Sequence, residues 1–584
     1  MTPFLRRWII FGILAACTSL LLLNLPRHSQ SPIEALTHPG FLHAKFRWKD
    51  LPQRHSVEHF TQLPTGPFAS IPKIQFEFPP ETDARRVTRQ TRLNAVKEAF
   101  LHSWQGYTEH AWLQDEVGPI SGLGSNGYAG WGATLVDTLD TLWIMGLQEE
   151  FEQAVAALGK IDFTTTPLTL LNVFETTIRY LGGLLSAYDI SDHQYPVLLT
   201  KAAEIGEMLY VAFDTPNRMP VTRWDWRNSA LGLSQEADAH SLLAEVGSLT
   251  LEFTRLSQLT GNPKWYDAVA RITDELQAQQ NLTRVPGLWP TMLDTQHGDF
   301  TKDFTFTLGG MADSVYEYLP KQHLLLAGRS SQYRSMYANA LASAKKNLFF
   351  RPFNTANQDL LIPGTVKHIS ALHAKLIPEA QHLTCFAGGM VALAAKTFNQ
   401  PEEMETARQL VRGCLWAYES TSSAIMPEVF HAIPCAVSEG ENCTFTDHRW
   451  YEGVTSHAGR GHASRNKMAE HAQKLIRESN LSPGWTAVDD ARYQLRPEAI
   501  ESLFVLYRIT GEDVWQEAAW DMFLAVTKAT KTRIAYAGIK DVRAESEDVR
   551  LEDSMESFWT AETLKYFYLV FSESNVVSLD DYVL

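Results

Sequence analysis

Several carboxylates of this chain stand where apolar side chains are expected. "LLNVFETTIRYLGGLLSAY" sets Glu175 and Arg179 into an apolar helical run, four residues apart and so on one face. "FTLGGMADSVYEYL" does the same with Asp313 and Glu317, and "LLAEVGSLTLEF" with Glu245 and Glu252. Glu428 stands in "MPEVF", Glu498 and Glu501 in "LRPEAIESLF", and Glu556 and Glu562 in "SMESFWTAETLKYFYLVF". A charge in such surroundings must be solvated, paired or neutralised. A salt bridge or a wet face explains any one of these runs. Recurrence in five helices and a loop points instead to one shared, water-filled cavity. An acidic cavity lined with aromatics suits polyhydroxylated substrates, and it supplies the two carboxylates that glycoside hydrolysis requires.

Such a cavity needs helices that converge on it. From about Arg86 helical periodicity dominates to the end, and few segments alternate with period two, so a mainly α architecture is expected. A motif recurs: a helix ends, a short polar turn follows, then an acidic or aromatic residue and an Ala-rich second helix. It is seen at "MGLQEEFEQAV", "LTGNPKWYDAV", "FNQPEEMETARQL" and "ITGEDVWQEAAW". Recurring helical hairpins build a solenoid or a closed ring. In "QLRPEAIESLF", Pro497 suits the first helical position, and Glu498 and Glu501 meet the positive end of the helix dipole. Residues 430–490 interrupt the pattern and are rich in Gly, Ser and His. His457 and His462 in "HAGRGH" match no helical metal-ligand spacing, so this stretch is read as a polar surface insertion.

The bulk numbers fit a globular chain. It has 584 residues, 45% hydrophobic and 20% charged, with net charge −16. Without a Lys/Arg-rich block, a nucleic-acid partner is excluded from the reading. Trp8–Leu25 is an uncharged run about as long as the shortest bilayer span, preceded by Arg6 and Arg7. It is read as an uncleaved signal anchor over residues 8–25, with residues 1–7 cytosolic and the bulk lumenal. Residues 26–88, rich in Pro, are read as an extended stem, and residues 89–584 as the catalytic domain. Cys385, Cys414, Cys435 and Cys443 leave an even lumenal set, for which the residues themselves allow three pairings. Sequons at Asn281, Asn442 and Asn480 fit a glycosylated lumenal protein.

The motifs "AGWGATLVDTLDTLWIMGL" (129–147), "FETTIRYLGGLLSAY" (174–188), "ADSVYEYL" (312–319), "HLTCFAGG" (382–389), "LRPEAIESLFVLYRITG" (495–511) and "MESFWTAETLKYFYLVFS" (555–572) resemble those of the class I α-1,2-mannosidases, glycoside hydrolase group 47. The resemblance runs from about residue 90 to the end. It implies an all-α fold, an (α/α)7 barrel behind an N-terminal transmembrane helix. It implies a single-pass type II enzyme of the endoplasmic reticulum or Golgi that trims α-1,2-linked mannose from high-mannose N-glycans, with inversion and a bound Ca2+. The family's acids fall on Glu175, Asp313, Glu428 and Glu498. Positions lining its sugar cavity fall on Arg179, Glu245, His382, Arg496, Glu501, Phe558 and Glu562. Its shared disulfide falls on Cys385 and Cys414, leaving Cys435 and Cys443 as a local pair.

Inversion needs a protonated acid on one side of the scissile bond and an ionised base on the other. Val, Phe, Ile and Leu around Glu175 favour a neutral carboxyl there, although Arg179 opposes it; Glu175 is the expected acid. Asp313 is expected to share that role through a water. Glu498, at a helix start beside Arg496, is the expected base. The sequence ends "SLDDYVL" at Leu584, before the Thr that serves the family as direct calcium ligand, so no residue here is matched to that role. That ending carries an alternative expectation, an inactive, lectin-like homologue that binds mannose glycans.

Overall fold

A computed structural model describes residues 46–68, 70–370, 373–435, 443–459, 465–544 and 549–584. The expected anchor over 8–25 lies outside the described residues, as do His462 and Asn442. Among the described residues, no helix is long and apolar enough to cross a membrane.

Helical hairpins follow one another along the chain. Leu139–Ile144 packs on Gln148–Leu158, Gly182–Ile190 on Pro196–Val211, and Thr250–Thr260 on Lys264–Gln279. Asp313–Leu325 packs on Gln332–Asn347, Phe386–Thr397 on Glu403–Glu419, and Glu498–Thr510 on Asp513–Thr530. Leu564–Phe571 packs on the long helix Asp83–His110. The first members also touch in succession. Leu139–Ile144 meets Gly182–Ile190, which meets Thr250–Thr260, then Asp313–Leu325, Phe386–Thr397, Glu498–Thr510 and Leu564–Phe571. The turn Trp559–Thr563, leading into the last of these, returns to Leu139–Ile144 and closes the cycle.

The chemistry of the inner helices explains this order. Phe386–Thr397, "FAGGMVALAAKT", is buried on nearly all sides, as a helix enclosed by neighbours must be. Its small residues permit close approach: a Cβ on Gly389 would come within 3.0 Å of the Ser502 Cα on the neighbouring inner helix. Asp513–Thr530 and Glu403–Glu419 bury one stripe only, as outer helices do. The disulfide Cys385–Cys414 ties the start of one inner helix to its outer partner.

Short antiparallel pairs sit just ahead of several inner helices. Leu171–Asn172 pairs with Arg223–Trp224, and Ser241–Leu242 with Met292–Leu293. A three-stranded antiparallel sheet joins β1 (Glu379–Gln381), β2 (Val429–Ala432) and β3 (Trp485–Asp490), with β2 in the middle. The described residues within 430–490 contribute to β2 and β3, form helices Asp447–His457 and Arg465–Ser479, and pack in two small clusters, one shared with Phe353 and one around Val454. The second disulfide, Cys435–Cys443, lies among them. Helix begins at Asp83, capped by Thr82, inside the expected stem. Residues 46–82 lie as a strap on the helical body, with Trp48 buried against Trp224 and the Phe76 N–H donating to the Arg508 carbonyl. Proline removes helix from this stretch without removing its apolar side chains, and those find the core.

Candidate active site

One cavity of about 1010 Å3 is lined by Glu175, Arg179, Glu245, Asp313, Arg496, Glu498, Glu501, Phe558 and Glu562. Its acids enter from helix starts. Glu175 follows Asn172, whose side chain caps Phe174 and Glu175 N–H groups. Glu245 is in the first turn of Leu243–Gly247, Asp313 opens Asp313–Leu325, and Glu498 opens Glu498–Thr510. Pro497 is therefore the cap residue, one position earlier than the sequence suggested. A helix N-terminus favours negative charge, which offsets part of the cost of burying these carboxylates. Two non-glycine residues with left-handed backbone precede the acids: Met311 (φ 75°) before Asp313 and buried Leu495 (φ 62°) before Arg496 and Glu498. Such conformations cost energy and persist where surrounding packing enforces them, often at functional sites.

Arg179 organises one wall. Its Nε donates to Glu175 Oε2 at 2.8 Å and its Nη1 to Ser557 Oγ at 2.7 Å, with Asp137 and Glu556 at 3.9 and 4.0 Å. The guanidinium lies 4.2 Å from the Tyr128 ring centre and 5.6 Å from that of Phe558. Arg179 sits in a π-helical turn, Thr176–Leu181, and Glu562 in another, Trp559–Thr563. Such bulges re-aim side chains and recur at functional sites.

The opposite wall is built on Glu498. His382, fully buried, bonds Glu498 Oε2 through Nδ1 at 2.9 Å and the Tyr418 hydroxyl through Nε2 at 2.7 Å. Arg496 Nη1 lies 3.8 Å from Glu498, and its Nε donates to buried Glu428. Glu428 also accepts from the Gln494 N–H at 3.0 Å. Burial works to raise Glu498, but the His382 hydrogen bond and the Arg496 charge outweigh it and hold the carboxyl below the ordinary glutamate range. Asp313 goes the other way. Burial, reinforced by the negative charges of Glu498 and Glu317, pushes it up to about 7 against a bond from the Ser314 N–H.

The remaining acids crowd together. Lys321 pairs with Glu317 and lies 3.3 Å from Glu501. Burial and then Glu317 raise Glu501; burial and then Asp137 push Glu562 up to about 8. Glu245 is paired with Arg223.

Of the residues named from sequence, the cavity gathers Glu175, Arg179, Glu245, Asp313, Arg496, Glu498, Glu501, Phe558 and Glu562. His382 does not line it: the ring is buried and both nitrogens are engaged inside the protein. Glu428 is likewise buried and tied to Arg496. Glu175, the expected acid, accepts from Arg179 Nε. Asp137, Arg223 and Lys321 were missed, although Asp137 stands in the apolar run "GATLVDTLDTLW" and carried the same signal as the acids above. Asp137 is raised to about 6 by burial, with Arg179 opposing.

Residues 99–584 match the family described as Glycosyl hydrolase family 47. A mannosyl-oligosaccharide alpha-1,2-mannosidase of Coccidioides posadasii is 32% identical over 517 residues, covering 86% of this chain and 90% of that one. The endoplasmic reticulum mannosyl-oligosaccharide 1,2-alpha-mannosidase of Homo sapiens is 32% identical over 531 residues, 90% of this chain and 67% of its own. The solved structure of an alpha-1,2-mannosidase from Trichoderma reesei superposes with a TM-score of 0.71 at 30% identity, over 83% of this chain and 94% of that chain.

Proposed function

This chain belongs to glycosyl hydrolase family 47, and from that premise we propose that it hydrolyses terminal α-1,2-linked mannose from high-mannose N-glycans, with inversion at the anomeric carbon. The observation that carries the proposal is the pair Asp313 and Glu498 in one cavity, one carboxyl raised to about 7 and the other lowered. Two acids whose surroundings push them apart divide into acid and base. Asp313 donates its proton to the glycosidic oxygen as the bond to the anomeric carbon breaks. Glu498 takes a proton from the water whose oxygen attacks that carbon from the opposite face. His382, held by Tyr418, fixes the base, and Arg496, held by Glu428, keeps it ionised. Glu175 and Arg179, with Phe558 beside them, orient the sugar.

The cycle of helix contacts supports an (α/α)7 barrel running from the helix Asp83–His110 to residue 584, with the cavity at its axis and residues 430–490 as an insertion. We place the chain in the secretory pathway, as a single-pass type II protein anchored by residues 8–25, with the domain lumenal. The naming of the human relative as an endoplasmic reticulum enzyme supports that compartment.

The donor set also fits calcium. Ca2+ takes six to eight oxygen ligands, and Glu501 and Glu562 are carboxyls that burial and neighbouring acids push up, a strain that a dication relieves. Those two residues, directly or through water, would hold it. When bound, the ion supplies positive charge and oxygen coordination to sugar hydroxyls. The test is mannose release from a high-mannose N-glycan by the full chain in detergent with Ca2+. Release that a chelator abolishes supports the reading; glycan retained uncut in the presence of Ca2+ overturns it and leaves a binding protein.

A further inference from the structure

Away from the cavity, three side chains from three elements meet. His431 projects from β2, Asp489 from β3, and His457 ends the helix Asp447–His457. Their ligand atoms all lie within 4.8 Å of one another. His431 Nε2 is 2.8 Å from Asp489 Oδ2, and the rings of His431 and His457 are 4.7 Å apart, inclined by 58°. Glu379, opposite His431 in register on β1, brings Oε2 to 3.9 Å from the same Nε2. Thr486 Oγ1 lies 3.4 Å from His457 Nδ1.

A hydrogen-bonded His–Asp pair alone is ordinary. A second imidazole at contact distance is not explained by that pair, since two neighbouring imidazolium ions repel. A neutral imidazole is the form that ligates metal. We propose that His431, His457 and Asp489 bind a divalent transition metal of the zinc type, with Glu379 beside them as a further oxygen. Two imidazoles and a carboxylate suit zinc and its neighbours, whereas calcium takes oxygen alone. The sequence reading of "HAGRGH" rejected a metal site; His457 lies instead with residues 26 and 32 positions away in the chain, which no local spacing reveals.

The location gives the ion a structural task. β2 starts next to Glu428, and the Glu428 N–H donates to the Arg492 carbonyl just beyond β3. An ion here clamps the 447–457 helix onto the sheet whose middle strand begins next to Glu428, the partner of Arg496.

The test is calorimetric titration of the full chain in detergent with Zn2+ after chelator dialysis, in Ca2+-containing buffer so that oxygen-only sites are filled, with Co2+ absorption reporting nitrogen ligation. Wild type should bind one zinc saturably. His457→Ala and Asp489→Asn, both exposed and outside the cavity, should each weaken binding by about tenfold or more, since even indirect partners of a metal matter by that factor. Retained mannose release shows that the variants are folded. Absence of saturable binding by wild type, or undiminished binding by both variants, overturns the site. Neither result bears on mannose hydrolysis, which rests on other residues.

Discussion

At Asp313 and Glu498 the same kind of group is driven in opposite directions by its neighbours. Burial and two nearby negative charges keep a proton on Asp313 up to about pH 7, while His382 and Arg496 strip it from Glu498. If Asp313 is the acid, turnover falls as pH rises through about 7, because the proton is lost. It falls again at low pH, below the ordinary glutamate range, where Glu498 gains one. Asp313→Asn should lower kcat by roughly 10²–10⁴-fold and abolish the alkaline limb, which a pH–rate profile reads directly. Glu428 acts through another residue. Removing one partner of a buried ion pair costs about 3–5 kcal/mol, so Glu428→Ala should lower stability and reduce kcat through a displaced Arg496. Unchanged thermal unfolding and turnover together would remove that positioning role.

Elements bring these residues together by close approach. A Cβ on Gly183 would lie 2.5 Å from the Val136 carbonyl oxygen, where the Gly182–Ile190 helix meets the chain before Leu139–Ile144. Gly183→Ala should therefore destabilise by roughly 1–3 kcal/mol through overpacking, seen as a lower denaturant midpoint. Much of this level was legible in the sequence. Acids inside apolar runs identified the inner helices, and Pro497 marked the start of one to within a residue. His382 and Glu428 stand behind the cavity wall, bonded to Glu498 and Arg496, a distinction that a motif match does not make. The π turns at Arg179 and Glu562 follow from tertiary packing, which periodicity does not encode. The pairing of β2 with β3 was hidden because both are short and Ala432 lies 53 positions from Trp485 in the chain, so pairing is invisible locally.

At the scale of the whole molecule, the ring concentrates carboxyls at its centre and so carries a linked stability cost. Asp313 and Glu252, both raised to about 7 chiefly by burial, bind protons more tightly folded than unfolded. Stability from such groups is full below their ordinary values near 4 and is lost as pH rises through about 7. The calcium-free protein should thus melt higher at about pH 5.5 than at about pH 8, with both scans in chelator. The Cys385–Cys414 bridge acts on the unfolded chain instead. Its loss in Cys414→Ser should cost about 2–4 kcal/mol, with mannose release retained below the new midpoint.

In the proposed mechanism Glu498 activates the attacking water. The most direct measurement is turnover of Glu498→Gln on a high-mannose N-glycan, paired with glycan binding by the same protein. The expected result is retained binding with kcat lower by roughly 10²–10⁴-fold. Turnover near that of wild type would contradict it and return Glu498 to a helix start alone.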